Sequence, residues 1–386
     1  MKATKFQKAV SYFALASVFS MAGCQKDQNA EEPAPELNAA EEASKTGKVI
    51  EGQYIVVFKN NGDDASEILN KLVAAKKLNS GDIKDKLEGK INGFTGKLTK
   101  KQYTDLLANS DIQAIEKDQI ITAQSTSSST VSLTTQTVQW GVSMVGYGDG
   151  TGKTAWVIDS GVSTSHPDLN VDVSRSVNFN PNVSGVEDGY GHGTMVAGII
   201  GAKNNSIGVV GVAANASIVA LRVLDNSGAG SLSYLIKAVS HVNTYGKAGD
   251  VVNISLAAGA SSTLDYYIQQ GAAKGIFFAI AAGNSSVDCS NNSPQRVNAN
   301  NVYTVSAMDQ NKYFFVSSNY GAPVDRAAPG VNITTTGLNG TYTYGHGTSF
   351  AAPHVAGLLL LKGNYIGTNG QVIGDKDSWA DPIARL

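Results

Sequence analysis

Thr154-Ala155-Trp156-Val157-Ile158-Asp159-Ser160-Gly161 is a short apolar run closed by a carboxylate and a glycine. A strand so nearly continuous in apolar residues offers no polar face to water, so it fits a parallel sheet covered on both sides. Residues 218–223, 251–256 and 276–281 repeat that character, with helical stretches between them. Such alternation specifies an α/β fold with a doubly wound, mainly parallel sheet, over residues 138–386. The chain's 41 glycines gather at strand ends, where open α/β sheets carry their ligand-binding loops.

Upstream, residues 123–137 are almost entirely Ser, Thr, Gln and Val, with neither a helical period nor a hydrophobic face. They read as an exposed linker, the natural place for proteolytic processing. Residues 50–122 have a pattern of their own: strands at 54–58 and 94–98 and near 112–115, helices near 68–75 and 101–107, and a further strand split off near Ile91. That order, β-α-β-β-α-β, is a small α+β ferredoxin-like unit. Residues 24–49 contain almost no large apolar side chain and read as a disordered, extended tether.

At the N-terminus, Lys2, Lys5 and Lys8 precede an apolar run, 9–22, that is short for a membrane span and reads as an export signal over 1–23. Ser20-Met21-Ala22-Gly23-Cys24 resembles the lipobox of bacterial lipoproteins, which implies lipidation of Cys24 and a membrane contact through that anchor alone. Cys289 is the only other cysteine, so a lipidated Cys24 leaves no internal disulfide, and Cys289 reads as a passive thiol. A formal charge of -2 spread over 386 residues gives no electrostatic footprint for nucleic acid.

Three stretches carry the parts of a hydrolase. Val157-Ile158-Asp159-Ser160-Gly161-Val162 sets a carboxylate at a strand end, where it needs a partner. Gly191-His192-Gly193-Thr194-Met195-Val196-Ala197-Gly198 supplies an imidazole between small residues at the start of a helix. Gly347-Thr348-Ser349-Phe350-Ala351-Ala352-Pro353-His354-Val355-Ala356-Gly357 runs from a glycine turn into an apolar helix. Ser349 falls where free amides and the helix dipole favour developing negative charge, and Pro353 is expected in the tolerant first turn.

Together these stretches resemble the subtilisin family, the subtilases, which use the chain order Asp, His, Ser. The resemblance covers about 140–386, and residues 53–122 resemble that family's inhibitory propeptide. It implies Ser349 as nucleophile, His192 as base and then acid, Asp159 as its orienting carboxylate, and Asn284 in Ala281-Ala282-Gly283-Asn284 as an oxyanion donor. An extended substrate is expected along Gly228, Ala229 and Gly230, along Ser255, Leu256 and Ala257, and near Gly283. Ala257 and Ala258 stand where the family usually has glycines, which implies a narrowed pocket and a preference for small or medium apolar residues before the cut.

The whole chain thus reads as an exported serine endopeptidase made as a self-processing zymogen. It is expected to be lipid-anchored at the cell envelope or outer surface as a precursor, and released when the propeptide is cut away. Its partners are a protein or peptide substrate and its own propeptide, with a monomer expected. The chemistry requires no cofactor; a structural calcium is allowed at Asp325, beside carbonyls near Asn300 and Val302, although adjacent Arg326 could pair with Asp325 instead. Among the other histidines, His346 repeats the Gly-His-Gly-Thr pattern three residues before Ser349, while His166, His241 and His354 read as turn or helix residues. An esterase would need Gly-x-Ser-x-Gly, but position 351 is alanine, and no His-Glu-x-x-His marks a metalloprotease. A non-catalytic binding module keeping the cleft is the remaining alternative.

Overall fold

The computed structural model describes residues 45–59, 65–87, 90–123, 126–133 and 135–386. The export signal, Cys24 and residues 24–44 of the tether lie outside the described residues. Among the described residues, no helix is long and apolar enough to cross a membrane.

The N-terminal unit is built of β1 (Val49–Phe58), α1 (Ala65–Ala74), β2 (Ile83–Leu87), β3 (Gly93–Lys97), α2 (Lys100–Leu107) and β4 (Ile112–Ala123). β1 pairs antiparallel with β3 and β4, and β2 with β3. Both helices pack on one face, where Val56, Phe58, Ile68, Leu72, Phe94 and Leu106 close a small core. Thr99 and Gln102 start α2 as a reciprocal capping box, satisfying two amides that the first turn leaves without acceptors. β4 is twelve residues long, far beyond the strand expected near 112–115. Its polar interior residues, Glu116 to Gln119, hide the strand from a reading based on alternation.

Within the stretch expected to be an exposed linker, Thr126–Val131 forms β5. The large domain then runs through α3 (Trp140–Val145), β6 (Gly148–Asp149), β7 (Thr154–Asp159), β8 (Val177–Asn178), α4 (His192–Gly201), β9 (Ala213–Ala214), β10 (Ser217–Arg222) and β11 (Ala229–Ser231). It continues with α5 (Leu232–Tyr245), β12 (Val251–Ile254), β13 (Leu256–Gly259), α6 (Ser262–Ala273), β14 (Phe277–Ala281), β15 (Asn292–Ser293), β16 (Val302–Met308) and β17 (Val324–Pro329). The hairpin β18 (Ile333–Thr336) and β19 (Tyr342–His346), α7 (Thr348–Lys362), β20 (Gly367–Gln371) and β21 (Pro382–Arg385) complete it.

Nine strands form the central sheet in the order β20-β21-β17-β16-β14-β12-β7-β10-β8. All neighbours are parallel except β20 and β21. β7 is the earliest of the parallel strands, and its successors lie to one side (β10, β8) and then the other (β12, β14, β16). The chain therefore reverses its direction of winding beside β7, and the crevice at a reversal, outside the carboxyl ends of the strands, is where open sheets bind ligands. Asp159 ends β7 there, and Ser255 and Ala282 follow the ends of β12 and β14.

Two apolar clusters cover the two faces of the sheet. α4 is buried along its whole length, and α7 from Thr348 to Leu360. A helix apolar all round belongs in the interior, and the Ala and Gly residues of α7 let it lie directly on the sheet: a methyl at Gly357 would come within 2.5 Å of Val212 Cβ.

Candidate active site

Asp159, His192 and Ser349 are all fully buried. Asp159 comes from the end of β7 and His192 from the first residue of α4, and His192 Nδ1 lies 2.8 and 2.9 Å from the two carboxylate oxygens. Nδ1–H is the donor, since a carboxylate only accepts; the backbone N–H of Ser160 gives Asp159 Oδ1 a second bond at 2.7 Å. His192 Nε2 is buried and has no hydrogen-bond partner among the described residues.

Glycine sets this approach. Gly191 has φ +104°, a left-handed turn into α4, and a Cβ at Gly193 would come within 2.0 Å of Gly161 O and 3.0 Å of Asp159 Cβ. Only a bare backbone lets the helix start this close to the carboxylate.

Asp188, which sequence reading missed, fixes both partners. Its Oδ1 accepts from Ser160 Oγ (2.9 Å), Tyr190 N (3.0 Å) and Gly191 N (2.7 Å), and its Oδ2 from Thr194 N (2.9 Å) and Thr194 Oγ1 (2.7 Å). Gly191 offers no side chain to cap α4, so a carboxylate three residues earlier takes the free amides of the first turn and favours the positive end of the helix dipole. An acidic residue shortly before a glycine-led helix start was the available signal.

Ser349 is the second residue of α7. Pro353 is the sixth, in the second turn and not the first as expected from sequence. Lacking an N–H, it leaves Ser349 O without its helical donor, and Ser255 Oγ takes that place at 3.1 Å. In return Ser349 Oγ donates to Ser255 O at 3.3 Å, and Asn253 Nδ2 donates to Ser255 Oγ at 2.9 Å. Proline and serine thereby tie the helix start to the strand that leads into β13.

Asn284 follows the turn after β14. Its Oδ1 accepts from Thr348 N (2.9 Å) and Thr348 Oγ1 (3.1 Å), which anchors the carbonyl end of the amide beside Ser349. Thr348 Oγ1 also accepts from Gly283 N at 3.0 Å. The Phe350 and His192 rings, 6.4 Å apart and edge to face, bring the start of α7 beside the start of α4.

The C-terminal end of β4 lies between β11 and β13. Ile120, Ile121 and Thr122 pair antiparallel with Ser231, Gly230 and Ala229 on one side, and Thr122 and Ala123 with Ala257 and Leu256 on the other. Ala123 N donates to Gly228 O at 3.1 Å. Leu256, Ala257 and Ala258 are all buried.

Two carboxylates of β4 fasten this arrangement. Glu116 accepts from Ser261 Oγ (2.6 Å), Ser262 Oγ (2.7 Å), Thr263 N (2.8 Å) and Thr263 Oγ1 (2.8 Å), capping α6. Asp118 accepts from Ser233 N (3.1 Å) and Ser233 Oγ (2.7 Å), capping α5, and is held by Gln53 Nε2.

The other histidines are occupied. His346 Nδ1 accepts from Asn332 N at 3.1 Å, and His166 Nδ1 from Asp168 N at 3.2 Å. His354 Nδ1 donates to Phe350 O at 2.7 Å, and burial pulls its pKa down to about 4. His241 sits among the rings of Trp156, Phe179 and Tyr245. Cys289 is buried, which pushes its thiol up to about 12, so it carries almost no thiolate. Asp325 Oδ2 accepts from Thr304 N at 2.8 Å, and burial raises its pKa to about 6; Arg326 Nη1 donates to the Asp325 backbone carbonyl rather than its carboxylate. Among the described residues, no group of three or more His, Cys, Asp and Glu is arranged to hold a metal ion.

Comparison with known proteins matches residues 150–367 to the subtilase family and residues 53–124 to peptidase inhibitor I9. Alkaline serine protease ver112 of Corniculantispora psalliotae is 33% identical over 358 residues, 88% of this chain and 87% of its own. Subtilisin Savinase of Lederbergia lenta is 40% identical over 234 residues, 58% of this chain and 84% of its own. Among solved structures, a cold adapted subtilisin-like serine proteinase superposes with a TM-score of 0.57 at 32% identity, covering 64% of this chain and 97% of that one.

Proposed function

Because the chain belongs to the subtilase family, we propose that Asp159, His192 and Ser349, with Asn284, are the catalytic groups of a serine endopeptidase held in its zymogen form by residues 50–122. The observation that carries this reading is the end of β4, laid as a third strand between β11 and β13 and ending beside the Ser255–Ser349 pair. A substrate strand bound there gains backbone hydrogen bonds on both edges, through Gly228, Ala229 and Gly230 and through Ser255, Leu256 and Ala257.

Ser349 Oγ attacks the carbonyl carbon, and His192 Nε2 accepts its proton. Asp159, already holding Nδ1–H, fixes the tautomer in which Nε2 is the base and stabilises the imidazolium that forms. The oxyanion is met by the Ser349 N–H at the start of α7 and by the Asn284 amide, whose carbonyl end Thr348 anchors. Loss of such an amide costs about 10²–10³ in turnover, as found for a family member. His192 then returns the proton to the leaving amine, and a water deprotonated by the same ring releases the acyl group. These groups supply every step without a cofactor.

With Ala123 opposite Leu256, we place the processing cut one residue further on, at Gln124–Ser125, inside the 123–137 segment. The alanines at 257 and 258, in place of glycines, support a preference for small or medium apolar residues before the cut in other substrates, whereas the medium-sized but polar Gln124 precedes the proposed cut in this chain. The basic and apolar N-terminus and the lipobox-like stretch ending in Cys24 support export and lipid anchoring of the precursor, with release from the anchor once the propeptide is removed. The test compares the unmutated protein with Ser349→Ala by mass spectrometry, in a protease-free host and with an unstructured protein as substrate. Only the unmutated chain should lose residues up to Gln124 and cut the substrate, with fragment ends giving the preference. Equal maturation of both would refute self-processing, and absence of cutting by the matured protein would favour the binding-module alternative.

A further inference from the structure

β19 has two edges. One is bonded to β18, and the other carries β5, which lies antiparallel to it with Thr126, Ser127, Ser128, Thr130 and Val131 opposite His346, Gly345, Tyr344, Thr343 and Tyr342. Without β5 that second edge would be open. His346 at its near end is three residues before Ser349, and the strand leads away from the nucleophile toward Tyr342. The chain thus forms strand pairing on both sides of the proposed cut, with β11 and β13 before it and with β19 after it.

We propose that the open edge of β19 is a docking strand for the polypeptide on the leaving-group side of the scissile bond, recognising it out to about the seventh residue past the cut. The inference rests on the proposed cut at Gln124–Ser125, which makes Val131 that seventh residue. The ligand is an extended peptide of weakly constrained sequence, because the stretch occupying the edge in the precursor is Thr-Ser-Ser-Ser-Thr-Val and offers no large apolar side chain. Its pairing is carried by the backbone, as in β-strand addition generally. Self-processing and substrate recognition then use the same edge. After the cut, the new N-terminal segment stays tethered close by, because Leu133 packs with Ala202, Val209 and Tyr342 and Gln136 N donates to Ser206 O at 3.2 Å. It competes with substrate for β19 at the high effective concentration of a short linker.

The experiment uses the matured enzyme and fluorogenic peptides that share Ile-Thr-Ala-Gln before the cut and extend two, four or seven residues beyond it. Each backbone hydrogen bond gained is worth roughly twofold to tenfold. kcat/KM should therefore rise about tenfold from the two-residue to the seven-residue peptide, and N-methylation of alternate amides in the extension should abolish the gain in an alternating pattern. A Ser127→Pro/Ser128→Pro precursor, whose own segment pairs poorly with β19, should mature more slowly than the unmutated one and, once matured, show a larger gain from the short to the long peptide. Equal kcat/KM for all lengths in both enzymes overturns the proposal while leaving the endopeptidase reading intact; failure to cut any peptide would count against that reading instead.

Discussion

The bond between Ser255 and the backbone of Ser349 exists because Pro353 has no N–H, and this can be tested by a double-mutant cycle. Ser255→Ala removes a donor to the backbone carbonyl of Ser349, a fully buried residue whose usual i+4 helical donor is replaced by proline. Leaving such a group unpaired costs about 1–3 kcal/mol. In a Pro353→Ala background the new amide at position 353 lies four residues after Ser349 and can make the missing helical bond, so the same Ser255→Ala change should cost less. Asn253 Nδ2 loses its acceptor in both backgrounds, so that contribution cancels in the cycle. The coupling between the two positions should therefore be at least about 1 kcal/mol. The assay is equilibrium urea unfolding of the precursor in a Ser349→Ala background, which prevents self-digestion and keeps the backbone carbonyl. Additivity of the two changes to within about 0.5 kcal/mol would refute the reasoning, because it would mean the serine hydroxyl does not stand in for the absent helical amide.

Glu116→Ala removes the acceptor of four hydrogen bonds at the start of α6. Charge-assisted bonds of this kind are worth about 1.5–3 kcal/mol each when removed singly, and less in sum, so the cleaved propeptide should inhibit the enzyme about a hundredfold less well in a progress-curve assay, with Glu116→Gln intermediate. Asp381 is buried against Ser306 Oγ, and burial raises its pKa to about 7 from 3.8. A carboxyl raised in the folded state holds its proton there and loses it on unfolding, so its contribution is complete below pH 4 and is lost as pH rises through 7. Asp381→Asn should therefore raise the urea midpoint at pH 8, leave it nearly unchanged at pH 4, and flatten the profile between; an equal effect at both pH values would remove titration of Asp381 as the cause.

The residues proposed for catalysis were legible in the sequence because each answers a local demand. A carboxylate closing an apolar strand, an imidazole between glycines at a helix start, and a serine entering an apolar helix each show in a window of about ten residues. The parallel sheet was legible for the same reason, since strands buried on both faces are apolar throughout. What the sequence did not disclose is held by partners far along the chain. Glu116 meets Ser261 across 145 positions, and Ser255 meets Ser349 across 94. Polar side chains such as these carry no periodicity, and whether they face water or a buried helix start depends on which elements the fold brings together. β5 belongs to the same class: its Ser and Thr residues look like linker because the sequence offers no large apolar side chain there, and it becomes a strand because an open edge of the large domain offers it backbone partners. Composition and spacing determined the chemistry and the sheet, while tertiary structure decided how the chain's own polypeptide occupies the cleft, because strand pairing is specified by the edge that receives it as much as by the strand that docks.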